Sequence, residues 1–478
     1  MSTSNSTGAV PNVMTRPAVK HGRYPSDFQS FRQNVAARSP SWLQDLRDLG
    51  WARFNSLGFP TARRGNERWK YTNVAPIARA NFAYPSQPSP SNGSAALVPF
   101  GQDLSSNAKG GEWLDLVFVD GRLSQELSST PPPGSGPIAH GLIAHGLADN
   151  VALSGGDELQ EHLGRYIEIQ DDGFVALNTA FLDDGAFVKV PDGYSDPVNL
   201  RITYVTTGGD EPKVTHPRSL IVAGRNTQLT VVETYAGSPT DSYFTNAVTE
   251  VALAEGAHVD HYRLLLESPT AFHVGTSRVL QGKDSTFTSA SFAIGTALAR
   301  NDLEVLLDAP GGYCSLNGLY LTSDGQHIDN LISIDHAQPN CTSRLNYKGI
   351  LDGKSRAVFG GTVIVRPGAQ KSDAEQTDKN LLLSEKAEVD SKPSLLIYAD
   401  DVKCSHGATA GHMNEETLFY LRSRGLDLGT ASRMLIHAFA TEIIDTVKPE
   451  PLREHLDALF NQAIPDKSLP YGGTHDLR

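Results

Sequence analysis

The sequence is poor in cysteine, in long apolar runs and in positive charge, and each shortage excludes a class of protein. Three cysteines in 478 residues, with no CxxC pair, do not make the disulfide framework of a secreted domain and indicate a reducing compartment. No apolar run approaches the roughly 18 residues that a membrane span needs. The formal net charge of -13 gives no electrostatic support for nucleic-acid binding. We therefore expect an acidic cytosolic protein that binds neither nucleic acid nor membrane.

The N-terminal 25 residues lack the apolar core of a secretory signal. No acidic residue precedes Asp27, as in an organellar transit peptide, but the only strong bases in this stretch are Arg16, Lys20 and Arg23. We interpret residues 1–25 as a disordered tail on a cytoplasmic protein. The alternative is a transit peptide, which would place the protein in the plastid stroma.

Composition and periodicity divide the chain into helical ends and a β-rich centre. With 43 glycines, 28 prolines and a hydrophobic fraction of 39%, the chain favours many short strands joined by tight turns. Apolar spacing predicts helices from Asp27 to about Ile77, and the turn formers YPSQPSPSNGS (84–94) predict a linker. The predicted units are a tail (1–25), a helical region with its linker (26–110), a β core with a mixed N-terminal segment (111–412), a helical domain (413–465) and a second tail (466–478).

A loose repeat runs through the β-rich centre. From about residue 174, β-branched and partly alternating segments predict strands. Six segments share one layout: an apolar residue, a polar turn, and then alternating residues that begin the next strand. They start at Leu253, Leu280, Leu307, Ile350, Leu383 and Tyr398. Their irregular spacing, about 15 to 40 residues, excludes a strict solenoid code but fits a β-helix with loops of variable length. A two-sheet sandwich is the alternative, although the span from 174 to 410 is long for one.

The C-terminal residues again show helical periodicity. Asn414 is placed to cap a first helix and Gly425 to end it. An amphipathic stripe follows at Ala431, Met434, Leu435, Ala438 and Phe439, and a second at Leu452, Leu456, Leu459 and Phe460. Such stripes usually pack on their own domain. Helices that project from a solenoid would have little surface of their own to cover, so a partner protein is the second interpretation.

The stretch DDVKCSHGAT (400–409) contains the clearest candidate site, Cys404 and His406. On a strand, residues two apart lie on one face, and a thiolate beside an imidazole suits iron or zinc. Two ligands do not complete a site, so the others would come from Cys341, Cys314, a carboxylate or another subunit. A buried cysteine beside a turn histidine is the structural alternative. A nucleophile and its base is the third, but neighbours on one strand make a poor proton relay.

Three stretches of the sequence resemble the SufB/SufD family of iron–sulfur cluster assembly proteins. They are DDVKCSHGATAGHMNEETLFYLRSRGL (400–426), the upstream run PNCTSRLNYKGILDGKSRAVFGGTVIV and the segment GNERWKYTNV (65–74). The last of these, with Glu67, Trp69, Lys70, Tyr71 and Thr72, resembles the N-terminal mark of the D-type branch. Residues 404–409 also differ from the glutamate-containing form typical of the B-type branch.

The resemblance implies a mainly β protein, a right-handed parallel β-helix flanked by N-terminal and C-terminal α-helical regions. It implies a non-catalytic scaffold subunit of a complex with a SufB-type paralogue and two copies of the ATPase SufC. The family's C-terminal helices bind the ATPase, which would assign the stripe at 431–439. Cys404 and His406 match positions implicated in a nascent cluster at the interface, where the paralogue would supply further ligands. Reduced flavin is associated with such complexes, but the sequence has no flavin fingerprint.

Two questions stay open at this stage. A homodimer through the ends of the β-helix would bring two Cys/His pairs together and imitate the mixed complex. A purely structural, partner-binding subunit without a metal role is the alternative function.

Overall fold

Helices form the two ends of the described chain. The computed structural model describes residues 22–35, 37, 39–63, 65–85, 94–98, 113–129 and 141–465; the predicted tails, apart from residues 22–25, lie outside them. The helices are α1 (Tyr24–Asn34), α2 (Ser41–Leu57), α3 (Ala75–Arg79), α4 (Leu147–Ser154), α5 (Asp157–His162), α6 (Gly173–Ala180), α7 (Glu415–Ser423), α8 (Leu428–Ile444) and α9 (Glu450–Ala463). None of the helices in this part of the chain is long and apolar enough to cross a membrane.

Between these ends the described chain forms short strands. They are β1 (Trp113–Val119), β2 (Arg122–Leu123), β3 (Ile143–Gly146), β4 (Ala186–Val190), β5 (Val198–Thr206), β6 (Val214–Thr215), β7 (Arg218–Ala223), β8 (Gln228–Gly237), β9 (Phe244–Leu253), β10 (His258–Leu266), β11 (Phe272–Gln281), β12 (Thr286–Ile294), β13 (Leu298–Leu307), β14 (Tyr313–Thr322), β15 (His327–His336), β16 (Thr342–Leu351), β17 (Arg356–Val365), β18 (Asp373–Leu382), β19 (Glu388–Ile397) and β20 (Lys403–Gly411).

The strands build two parallel sheets that share one coiled chain. The first sheet runs β1-β5-β8-β10-β12-β14-β16-β18-β20 and the second β19-β17-β15-β13-β11-β9-β7-β4, with β2 and β3 added antiparallel at the far edges. From β7 to β20 the chain passes alternately from one sheet to the other, so each pair of strands makes one turn of a parallel β-helix. The predicted fold class is therefore confirmed, and the sandwich alternative is wrong.

The repeat is more regular than its sequence suggested. Thr286 pairs with Tyr313, 27 positions later, and Thr342 pairs with Asp373, 31 positions later, and these are the extremes of the first sheet from β10 to β20. The six repeat segments enter strands of both sheets: β10, β12, β14 and β20 in the first, β17 and β19 in the second. The spacing of these segments is uneven because they belong to two interleaved series of strands, one in each sheet.

The interior of the coil is packed by alternate residues of each strand. Leu316, Tyr347 and Phe359 are buried inside, where the two sheets face each other. Small residues make room for the rings: a Cβ added to Gly318 would lie 2.2 Å from the Tyr347 ring of the next coil. Because both faces of most strands are buried, the strands are apolar without a clean alternation, as parallel sheets usually are.

Helices α8 and α9 pack on the outer face of the first sheet. Ile436 and Ile443 of α8 lie in one buried cluster with Leu319 and Ile350 of the sheet. Lys348, also on the sheet, donates from Nζ to the Phe439 carbonyl at 3.1 Å and pairs with Glu442. These two helices therefore cover their own domain, whereas α7 has no buried residue.

Candidate functional site

The candidate pair lies on the last strand of the β-helix. Cys404 and His406 are the second and fourth residues of β20. Within the described chain β20 pairs only with β18, and β19 only with β17, so the final coil has no strand beyond it. We call the open interior of this coil, between β19 and β20, the mouth.

Both side chains belong to the face of β20 that is turned toward the coil interior. In the register of the two strands, Cys404 pairs with Ala374 and His406 pairs with Gln376. Both of these β18 residues are buried inside the coil. Cys404 is half-buried and packs with an apolar cluster that includes Val365, whereas His406 is exposed. The pair therefore lies on one face, as predicted, and the open end makes it accessible.

The electrostatics at Cys404 favour a thiol in the isolated chain. Partial burial raises the pKa of Cys404, and the negative charge of Asp373 acts in the same direction. Catalytic cysteines instead have a lowered pKa, so this environment does not favour a nucleophilic role for Cys404. A metal ion would displace the proton, because the thiolate is the form that coordinates.

The other cysteines do not complete a metal site in this chain. Cys314 lies in the same interior column as Cys404, three strands away, which is roughly 14 Å at the usual strand spacing. It is fully buried, and burial raises its pKa. Cys341 is buried too, with Sγ donating to the Ala309 carbonyl at 3.4 Å. Across the described residues, no group of three or more His, Cys, Asp or Glu side chains could hold a metal ion.

A polar floor, which sequence reasoning missed, lies one coil below the pair. It consists of Gln376, Asp378 and Asn380 on β18, and Ser391 on β19 joins it from the opposite sheet. Asp378 Oδ2 accepts from Asn380 Nδ2 at 2.8 Å and from Ser391 Oγ at 2.6 Å. Asp378 Oδ1 and Gln376 Oε1 are buried and find no hydrogen-bond partner among the described residues. The sequence signal was AEQTDKN (374–380), a strand with polar residues on both faces.

Asp378 gives the floor a measurable pH dependence. Burial raises the pKa of its carboxyl to about 6. The folded chain then holds this proton more tightly than the unfolded chain, so Asp378 lowers stability as pH rises from about 4 to above 6. We expect Asp378→Asn to raise the free energy of unfolding at pH 7.5 by at most about 3 kcal/mol, with no gain at pH 4. Urea unfolding at both pH values measures this, with exposed Asp400→Asn as control; an equal gain at both values would contradict it.

The predicted ATPase-binding stripe is only partly accessible. Ala431 is fully buried, Leu435 and Phe439 are partly buried, and Met434 and Ala438 are exposed. The Phe439 ring lies 4.4 Å from Lys348 Nζ, which shows that this side of α8 faces the sheet. Two aromatic side chains of α7, Phe419 and Tyr420, are among the most exposed in the described chain.

The segment 65–72 lies on the outer face of the second sheet. The Trp69 ring is covered by the Arg300 guanidinium, 3.9 Å from its centroid, and Thr72 donates a hydrogen bond to Asp329. Glu67 lies 3.7 Å from Lys392 of β19. This segment therefore reaches the edge strand that borders the mouth.

Comparison with known proteins places these features in a family. Residues 204–439 match the model described as SUF system FeS cluster assembly, SufBD core domain. Residues 19–95 and 119–200 match the model of the SufBD protein N-terminal region. The chain is 30% identical over 438 residues to the iron–sulfur cluster assembly protein SufD of Escherichia coli, covering 91% of this chain and 95% of the relative.

Photosynthetic organisms contain similar proteins. An iron–sulfur cluster assembly SufBD family protein of Synechocystis is 31% identical over 430 residues, covering 88% of this chain and 91% of the relative. The protein named ABCI7, chloroplastic, of Arabidopsis thaliana is 33% identical over 476 residues, covering 93% and 95%.

Proposed function

We propose, starting from the fact that this chain belongs to the SufB/SufD family of iron–sulfur cluster assembly proteins as a SufD-type member, that it is a non-catalytic scaffold subunit. It pairs with a SufB-type paralogue through the mouth, and Cys404 and His406 contribute ligands to a nascent cluster there. The iron and sulfide of that cluster are cargo. The observation that carries the proposal is the placement of a thiol and an imidazole on one accessible face of an uncapped last coil.

Half a coordination shell at an interface explains why the described chain lacks a complete metal site. Tetrahedral iron and zinc centres use four ligands, and this face offers two. The edge strands β19 and β20 both carry unpaired backbone groups, which a partner strand can satisfy. A partner that extends the coil would bring its own ligands opposite Cys404 and His406. A second copy of this chain could occupy the same end, which keeps the homodimer as a prediction.

Anaerobic reconstitution of the mixed complex tests the ligand role. We expect Cys404→Ala and His406→Ala each to lower the cluster yield by at least about tenfold, since even outer-shell changes cost that much at metal sites. Ser405→Ala is the matched control, because this residue lies between them on the opposite face of β20 and is exposed. Iron and acid-labile sulfide per complex are the readout, and an unchanged yield in both alanine variants would remove the role.

The ATPase contact belongs to the accessible part of the C-terminal helices. Met434 is half-exposed and Ala438 is exposed, so either can accept a charge without disturbing the core. We expect Met434→Asp and Ala438→Asp to weaken co-purification of the SufC-type ATPase by about tenfold, a typical interface effect. Leu49→Asp, an exposed leucine of α2, is the control. Full retention of the ATPase by both variants would contradict this surface.

A purely structural subunit is the second candidate. It is favoured by the raised pKa of Cys404 and by the incomplete ligand set in the described residues. It predicts loss of assembly in the α8 variants but full cluster yield in the Cys404 and His406 variants. The proposed scaffold role requires losses in both sets.

The remaining expectations come from the family and its relatives. Bacterial relatives support a cytoplasmic location, and a relative named chloroplastic supports the plastid stroma as the alternative. Reduced flavin in the complex stays a prediction that follows from the resemblance alone.

A further inference from the structure

We propose that a cavity among helices α2, α4 and α5 binds a small monocarboxylate with an apolar body, and that Arg47 pairs with the carboxylate. The cavity has a volume of about 610 Å³. It lies at the end of the β-helix that carries β3 and β4, whereas Cys404 and His406 lie on the last coil. Ligand binding in this cavity is therefore independent of the proposed role of that pair.

The walls of the cavity are mostly apolar. Buried leucines from α2, α4, α5 and the adjoining chain line it: Leu43, Leu147, Leu159, Leu163 and Leu182. Ala148 and Ala152 of α4 also line it and are exposed, which puts the entrance on the side of α4. A cavity of this volume with apolar walls is typical of sites that bind small organic molecules.

Arg47 of α2 is a buried cation in this wall. It is 3% exposed, Nε donates to the Leu182 carbonyl at 2.6 Å, and Nη1 donates to Ser39 Oγ at 2.8 Å. Of the five guanidinium N–H groups, these bonds use one on Nε and one on Nη1, which leaves three. Nη2 is accessible and has no acceptor among the described residues, within which Arg47 also forms no ion pair. The guanidinium therefore has donors left for a ligand in the cavity.

The positive charge of Arg47 is poorly balanced by its surroundings. Asp183, which also lines the cavity, accepts from Arg122 Nε at 2.9 Å and from the Tyr84 hydroxyl at 3.2 Å. Two guanidinium groups thus share one carboxylate. Burial lowers the pKa of Arg47 to about 10, although Asp183 and Tyr84 act in the opposite direction. One further negative charge beside Arg47 would balance the second cation.

These features select a ligand by its charge and shape. A carboxylate matches the planar guanidinium and accepts two of its N–H groups at once. A phosphate would bring up to a second negative charge into a cavity with one cation in excess, where an unpaired charge is costly. The Ser39 hydroxyl lines the same wall and can donate its own proton to the ligand. The leucine walls would then bury the apolar body, which adds to the affinity.

Isothermal titration calorimetry of the full-length chain with octanoate as the probe tests the site. Acetate has the carboxylate without the apolar body, and octan-1-ol has the apolar body without the charge. We expect octanoate to bind one to one and acetate not to bind measurably. Octan-1-ol should bind about ten- to hundredfold more weakly than octanoate, the range for a hydrogen bond to a charged group. Failure of octanoate to bind, or equal affinity for octan-1-ol, would overturn the proposal.

Two substitutions locate the binding site. Arg47→Met removes the cation and should weaken octanoate binding about ten- to hundredfold, whereas Arg32→Met, at an exposed arginine of α1, should leave it unchanged. Ala152→Trp places a large side chain at the entrance and should abolish binding, with Ala52→Trp, at an exposed alanine of α2, as its control. Because Ala152 is exposed, this variant tests the site without disturbing the core. Unchanged octanoate affinity in Ala152→Trp, or in a folded Arg47→Met, would overturn the proposal.

Discussion

Replacing Ala408 with proline is expected to weaken pairing of the mouth with a partner chain while leaving the β-helix folded. In a parallel ladder the backbone N–H and C=O groups of alternate residues point to the two neighbouring strands in turn. The Lys403 N–H donates to the Ser372 carbonyl of the preceding coil at 2.9 Å. The N–H groups of Cys404, His406 and Ala408 therefore point to the open edge. Proline at 408 removes one of these donors, which edge strands of isolated proteins tolerate.

The effect on assembly should be large because the donor lies in the middle of the edge. We expect the paralogue, or a second copy, to bind at least about tenfold more weakly, since a buried carbonyl of the partner would lose its donor. Gly407→Ala is the matched control, because an added Cβ there meets nothing within 4 Å. Analytical ultracentrifugation measures the affinity, and urea unfolding confirms the fold. Pairing of the proline variant as tight as that of the control would exclude the open edge as the interface.

Replacing Arg218 with methionine is expected to give the largest loss of stability. Arg218 and Glu250 are fully buried, with Nη2 and Oε1 2.5 Å apart. Glu250 also accepts from the backbone N–H groups of Gly164 and Tyr166, and Arg218 Nη1 donates to Asn178 of α6 at 3.1 Å. The pair therefore joins the N-terminal helical layer to β7 and β9, and removing the arginine leaves a buried carboxylate without its cation.

We expect Arg218→Met to lower the free energy of unfolding by about 3–5 kcal/mol, the usual cost of breaking a buried ion pair from one side. Replacing both partners, Arg218→Met with Glu250→Gln, should recover part of this loss. The exposed pair Arg225–Asp192 provides the control, and Arg225→Met should cost less than about 1 kcal/mol. Urea unfolding measures all three variants. Equal effects of Arg218→Met and Arg225→Met would contradict the anchoring role.

Much of the β-helix could be predicted because its strand entries repeat one local pattern. The polar turn before each strand is a local signal, and the two-residue period put Cys404 and His406 on one face. The assignment of strands to two sheets could not be predicted, because it depends on pairing between residues about 30 positions apart. Helix α6 was also missed: GFVALNTA is mostly apolar and fully buried, and a short buried run is ambiguous between helix and strand.

The phase of α8 was predicted only in part, for a related reason. Apolar residues occur on most sides of this helix, so several stripes fit its sequence. The structure buries Ala431, Ile436, Ala440 and Ile443, and of these only Ala431 was in the predicted stripe. The floor of the mouth was missed because Gln376 and Asp378 are inside only by virtue of the coil, and polar residues in a strand otherwise indicate a solvent face.

The coordination of a cluster by His406 can be measured directly in the assembled complex. Histidines of this chain alone are labelled with ¹⁵N, the complex is formed with unlabelled partners, and the reduced cluster is examined by pulsed electron paramagnetic resonance. We expect a ¹⁵N coupling that disappears in His406→Ala. A cluster that forms in full yield without any such coupling would contradict this expectation.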